Sequence, residues 1–230
     1  MQNITRMNSL NLHQIFIFLS FILHIFLPYT NIGYYSMDEH FQILEPLAYK
    51  LEIRNQIDDI WEFEAAIRPW IQIYFYYYII LILIELSITN PFIWIYVIQL
   101  VLSIIGFLST YFLYRITLKQ RIISQNNFNS YLFFLLIFIL FIHVRTSAEN
   151  LSISLFIFGI YFIFKFLNQE KTKIYFLILA SIFFGGSILI RFQMAFLILP
   201  FYLWLLFFKR LLFISFISFI VISLLLIVDF

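Results

Sequence analysis

Asp38 and Glu39 are adjacent carboxylates in the segment Ser36-Met37-Asp38-Glu39-His40-Phe41-Gln42, and their types and spacing could do acid–base chemistry. The segment begins a few residues after a long apolar run, so the pair falls close to a membrane surface. A carboxylate there is partly desolvated, and a second one beside it raises the cost of ionising both. A general base acquires a pKa nearer neutrality in this way. The same three residues, Asp38-Glu39-His40, equally suit the cap of a surface helix. The loop continues with Trp61-Glu62-Phe63-Glu64 and Ile67-Arg68-Pro69-Trp70. Its tryptophans either anchor a helix at the interface, the simpler role, or line a groove for a lipid or sugar while Arg68 meets a phosphate. Further on, His143-Val144-Arg145-Thr146-Ser147-Ala148-Glu149-Asn150 carries more polar side chains than a turn between apolar runs requires. Arg191 stands alone between two apolar runs, either snorkelling from a tight loop or binding an anion. Anion binding is preferred, because a cation at the membrane edge is costly unless it is paired.

The elements that position these residues are set by composition. Of 230 residues, 63% are hydrophobic and 11% are charged, where a soluble chain would show roughly 25% charged residues. The mean hydropathy is +0.98. One globule cannot bury this much apolar surface, so lipid is the expected solvent. A helical span needs about 20 apolar residues, and candidate spans lie at 10–29, 91–114, 130–144, 151–167, 174–190, 192–208 and 211–228. The runs are continuous and do not alternate, which excludes a membrane barrel. The expected fold class is therefore all-α, a polytopic helical membrane protein forming one transmembrane unit over residues 1–230. The first run is not read as a cleavable signal, since no small-residue cleavage site follows it.

Orientation follows from the basic residues, which are retained on the cytoplasmic side. If the segment 71–86 lies in the interface and does not cross, Arg6, Arg115, Lys119, Arg121, Lys165, Lys171, Lys173, Lys209 and Arg210 are inside, and Lys50, Arg54, Arg68, Arg145 and Arg191 are outside. Among the acidic residues only Glu170 is then inside. This solution gives seven spans, an external loop over 30–90 with an interfacial helix at 71–86, and an outer location for Asp38-Glu39. The consecutive Tyr76, Tyr77 and Tyr78 fit that helix, because Tyr favours the headgroup zone.

Several chemistries are excluded or unsupported. The chain has no cysteine, so it holds no disulfide or thiolate metal site. His13, His24, His40 and His143 are scattered, without a ligand-like i, i+4 pair; His13 and His24 are expected to be satisfied within the bundle or at its edge. No phosphate-cradling glycine loop, nucleotide fingerprint or nucleophile elbow is present. Gly185-Gly186 lies in an apolar run, where helix packing accounts for it.

Taken in order, the motifs resemble those of the GT-C lipid-linked mannosyltransferases, which build asparagine-linked glycans and GPI anchors. Met37-Asp38-Glu39-His40-Phe41-Gln42-Ile43-Leu44-Glu45 resembles their His-Pro-Asp-Glu motif with its downstream Gln and Glu. Trp61-Glu62-Phe63 and Ile67-Arg68 resemble their Trp-Glu and Ile-Arg-Ser. Tyr114-Arg115 is similar to the Leu-Tyr-Arg-Ala that ends their second span, Arg145-Thr146-Ser147 with Asn150 to their Arg-Thr-x-Ser-Asn turn, and Arg191-Phe192-Gln193 to their Arg-Pro-Thr. Ser36-Met37 stands in place of His-Pro, Pro69 in place of Ser, and Phe192-Gln193 in place of Pro-Thr.

The resemblance implies transfer of a sugar, mannose by preference, from a polyprenyl- or dolichyl-phosphate donor to a lipid-linked or glycan acceptor, with inversion, on the non-cytoplasmic face. It implies Asp38 as base, with Glu39 tuning it or holding the acceptor, and His40, Gln42, Glu45, Trp61, Glu62, Arg68, Arg145, Asn150 and Arg191 in the substrate site. No cofactor is expected. A metal is not strictly required where Arg meets the phosphate leaving group. The expected partners are the lipid-linked sugar, the acceptor and the bilayer, with no nucleic acid. The location is the endoplasmic reticulum membrane in a eukaryote or the inner membrane in a bacterium. Family members run longer, with further spans and a large later external loop, so this sequence is expected to be the N-terminal catalytic half. The alternative is a transporter or flippase for an anionic or lipid-linked substrate, which would be expected to show internal repeats and mid-bilayer ionisable groups.

Overall fold

A computed structural model describes residues 2–31, 37–53, 70–122, 137–168 and 174–209, and every regular element among them is helical. In chain order these are α1 (Gln2–Thr30), the short α2 (Met37–Glu39), a π-helical turn (His40–Leu44) and α3 (Glu45–Lys50). They are followed by α4 (Ile71–Glu85), α5 (Pro91–Lys119), α6 (Ile137–His143), α7 (Ala148–Leu167), α8 (Ile174–Ile190), a 3-10 turn (Phe192–Met194) and α9 (Ala195–Lys209). The expected spans at 10–29, 91–114, 151–167, 174–190 and 192–208 each coincide with a helix. That at 130–144 is described only from Ile137, and 211–228 lies outside the described residues. Two of these helices, Pro91–Lys119 and Ala148–Leu167, are long and apolar enough to cross a membrane by length and composition.

Local chemistry explains where the helices begin and end. Asn90 caps α5, its Oδ1 accepting from Phe92 N at 3.0 Å, and Pro91 occupies the first helical position. Ser147 caps α7, its Oγ accepting from Asn150 N at 3.4 Å, and Glu149 in the first turn complements the helix dipole. At the C-termini of α3, α4 and α5, Glu52, Ser87 and Arg121 take the left-handed backbone usually given to glycine. Each is followed by a closing bond back across the last turn, Ile53 N to Ala48 O, Ile88 N to Leu83 O and Ile122 N to Thr117 O.

The bundle is built on α5, which packs against α1 on one side and α7 on the other, while α8 lies along α7. One apolar cluster joins Ile43, Tyr76, Ile98, Ala148 and Ile190, and a second joins Ile163, Phe184 and Ile198 near the other end of α7. Outside these clusters the surface is apolar. Ile15, Phe18, Ile22 and Phe26 on α1, and Phe196, Leu199 and Phe207 on α9, are all exposed. An apolar surface on this scale is stable against lipid and not against water.

Two features of the packing were not read from the sequence. Tyr76 is fully buried, on the α4 face formed by Gln72, Ile73, Tyr76, Ile80 and Leu83 that packs toward α3, α5 and α8. Histidine spacing also missed a pair. His24 of α1 and His143 of α6 meet with His24 Nε2 2.9 Å from His143 Nδ1. His24 Nδ1 is 2.7 Å from the Ser20 carbonyl, which can only accept, so that nitrogen carries a proton. The approach of α6 depends on Gly106 of α5, where a Cβ would overlap the His143 ring.

Candidate functional site

Glu39 does not act as a side-chain cap of the turn that follows it, and it is 2% exposed. The chain runs from α2 through the π turn into α3, with Glu45 N–H bonded to the His40 carbonyl. Such turns are rare and are frequent at functional sites. The turn brings His40 Nε2 to 3.7 Å from Glu45 Oε1, and Glu45 is itself buried. Asp38 lies on α2 beside Glu39; its side chain, with Trp61, Glu62 and Arg68, falls outside the described part. Gln42 is on the π turn and is half-buried.

The second polar segment is held against the first. Thr146, buried between α6 and α7, donates its hydroxyl to Glu39 Oε1 at 3.4 Å. Its carbonyl accepts from Gln72 Nε2 at 2.9 Å and from Tyr76 Oη at 3.2 Å, and Gln72 Nε2 is also 2.8 Å from Tyr76 Oη. Burial pushes the Tyr76 phenol up from its ordinary pKa, which keeps it protonated as a donor. Asn150, buried in the first turn of α7, donates Nδ2 to the carbonyls of His143 and Arg145 at 3.0 and 2.8 Å. The turn 143–147 is thereby fixed from both sides, which satisfies backbone groups that burial would otherwise leave unmade. The Arg145 guanidinium lies 4.2 Å from the centre of the Phe141 ring.

Arg191 does not stand alone. Its guanidinium forms an ion pair with Glu149 of α7, and both side chains are partly exposed. The cation is thus paired within the chain, which is one of the two ways a charge at a membrane edge is made tolerable. The structure therefore gathers Glu39, Arg145, Asn150 and Arg191 around one end of α7, over the apolar cluster shared by Ile43, Tyr76, Ala148 and Ile190.

Sequence reasoning noted Thr146 and Glu149 within the polar turn without giving either a role in the site, and gave no site role to Gln72 or Tyr76. A usable signal existed for two of them. Gln72 is the polar residue near the start of an otherwise apolar helix, and Tyr76 follows it by four positions on the same face.

Buried carboxylates thus lie beside guanidinium groups in a helical bundle with a lipid-compatible surface. Residues 14–230 match the Alg9-like mannosyltransferase family, and the chain belongs to that family. The family places it among the membrane glycosyltransferases, with a sugar donor and a glycan acceptor as substrates in general. No curated protein and no solved structure matches the chain.

Proposed function

We propose that this protein transfers mannose from a polyprenyl- or dolichyl-phosphate donor to a lipid-linked glycan acceptor on the non-cytoplasmic face, with inversion. Asp38 takes the proton of the acceptor hydroxyl as that oxygen attacks the anomeric carbon. The bond from the anomeric carbon to the phosphate oxygen breaks, and the lipid phosphate leaves with the electron pair. Arg191 and Arg145 meet that phosphate, for which the forked guanidinium is well suited. Glu149 holds Arg191 until the donor arrives, and the partial exposure of the pair makes the exchange inexpensive. Glu39 is a positioning residue: it is too buried to meet a bulky acceptor and is tied to Thr146.

The observation that carries this reading is the Thr146–Glu39 hydrogen bond, which joins the acidic segment to the Arg145–Asn150 turn. Base and phosphate partners then belong to one site. Family membership lends no support to the transporter alternative.

The test is a transfer assay in membranes containing the complete gene product, with polyprenyl-phosphate mannose and extracted lipid acceptors. Asp38→Asn keeps the side-chain shape and removes proton acceptance. Turnover should fall by about 10²-fold or more, with donor affinity retained. Full turnover in Asp38→Asn removes the base assignment, and no transfer by the unaltered protein from any polyprenyl-phosphate sugar removes the donor class.

A further inference from the structure

At the end of α5 and α7 remote from this site lies a cleft of about 560 Å³. Its described walls come from the last turns of α5, the last turns of α7 and Ile17 of α1. Arg115, Lys119 and Lys165 line it, and no carboxylate does so among the described residues. Asn150 lies in the first turn of α7 and Lys165 near its close, so at 1.5 Å per residue roughly 20 Å separates the cleft from the site described above.

Cations at helix C-termini have an ordinary explanation, since they complement the dipole. Three features go beyond it. First, two of the cations are oriented by aromatic partners. Arg115 Nη1 donates to Tyr111 Oη at 3.1 Å, and Lys165 Nζ lies 5.6 Å from the centre of the Tyr161 ring. Second, Tyr161 is itself fixed, stacked on Phe112 with ring centres 4.3 Å apart. Third, the cations converge from two separate helices on one cavity, whose size falls within the roughly 300–1,000 Å³ of small-ligand sites. Ile17, Ile116 and Phe164 supply apolar wall beside the charges, as a headgroup with its acyl chains requires.

We propose that this cleft binds a phosphate anion, carried by the headgroup of an anionic membrane phospholipid. Basic pockets between membrane helices bind headgroups of this kind. The guanidinium of Arg115 and the ammonium groups of Lys119 and Lys165 meet the phosphate oxygens, while the hydroxyls of Tyr111 and Tyr161 frame them. The site is separate from the catalytic one and acts as a structural lipid anchor for the α5–α7 pair.

The complete gene product, purified in micelles, tests this by native mass spectrometry and thermal melting. It is titrated with phosphatidylglycerol, with phosphatidylcholine of the same acyl chains, and separately with inorganic phosphate. Phosphatidylglycerol should be retained about 10-fold better than phosphatidylcholine and should raise the melting temperature, with the gain weakening in high salt. The double variant Lys119→Gln/Lys165→Gln should abolish the preference, and Lys119→Arg/Lys165→Arg should keep it. Protection by inorganic phosphate that equals the lipid's, and is lost in the Gln variant, supports the phosphate site and assigns it to the free anion. Equal retention of the two lipids without any phosphate effect overturns the proposal, as does an anionic preference unchanged in the Gln variant.

Discussion

The Thr146 hydroxyl stands 3.4 Å from Glu39 Oε1 across 107 positions of sequence, and both residues are buried. The bond fixes the acidic segment relative to the turn that carries Arg145. Thr146→Val removes the donor and nearly preserves the volume. The buried carboxylate then loses a partner, and its neighbour Asp38 loses a fixed frame. Turnover should fall about 10-fold, equivalent to about 1.4 kcal/mol of barrier. Donor KM should stay within about twofold, because the loss is felt in the reacting geometry and not in donor binding. Thr146→Ser should recover most of the rate. Unchanged turnover in Thr146→Val would detach Glu39 from the chemistry.

Much of the helical layout was legible in the sequence, and the reasons differ by element. The run 174–190 matches α8 at both ends because polar residues bracket it. The start of α7 was set late, since Glu149 and Asn150 look like loop residues; they are the polar first turn that follows the cap Ser147. The burial of Tyr76 was hidden for another reason. When a helix is apolar all round, its pattern does not say which face is buried. That choice was made by Gln72 and by the Thr146 carbonyl, a contact spanning 74 positions. The His24–His143 pair spans 119 positions, and spacing rules see only pairs within one element. The partner of Arg191 was hidden in the same way, because Glu149 sits on a different helix.

Arg191 and Glu149 separate binding from folding. Both side chains are partly exposed, so the pair contributes no more than about 1 kcal/mol to stability. A charge-assisted bond to a donor phosphate is worth roughly 1.5–3 kcal/mol. Arg191→Ala should therefore weaken donor affinity about 10- to 100-fold while barely moving the melting temperature. Glu149→Gln removes the internal competitor and should hold donor affinity at or above the original level. A marked drop in melting temperature with unaltered donor affinity in Arg191→Ala would make the pair purely structural.

Topology can be read by single-cysteine labelling, because the chain contains no cysteine of its own. With the basic residues retained inside, position 38 should label from the non-cytoplasmic side and position 119 from the cytoplasmic side. Tyr78 and Leu86 are both exposed on or just after α4 and make suitable depth probes. If α4 lies in the interface, both positions report shallow depth on the outer side. Detection of position 86 from the cytoplasm would make α4 a span and reverse the expected sidedness of the helices after it.

The close approach of α5 and α6 at Gly106 gives a test of packing that does not involve the catalytic proposal. A Cβ at Gly106 would fall 2.6 Å from both Cβ and Cδ2 of His143. The His143 ring cannot swing aside without breaking its 2.9 Å contact to His24, and its backbone carbonyl is held by Asn150. Gly106→Ala should therefore destabilise the bundle by about 1–3 kcal/mol, the usual cost of overpacking. Gly186 provides the comparison. A Cβ there meets Leu155 Cδ1 at 3.3 Å, the far end of a flexible side chain that can yield by a few tenths of an ångström. Gly186→Ala should be close to neutral, helped by alanine's better helix propensity of up to about 1 kcal/mol over glycine. Thermal melting of the two variants in the same micelles reads the difference directly. Equal melting temperatures for Gly106→Ala and the unaltered protein would mean that α6 does not approach α5 through His143, and the His24–His143 pair would fall with that contact.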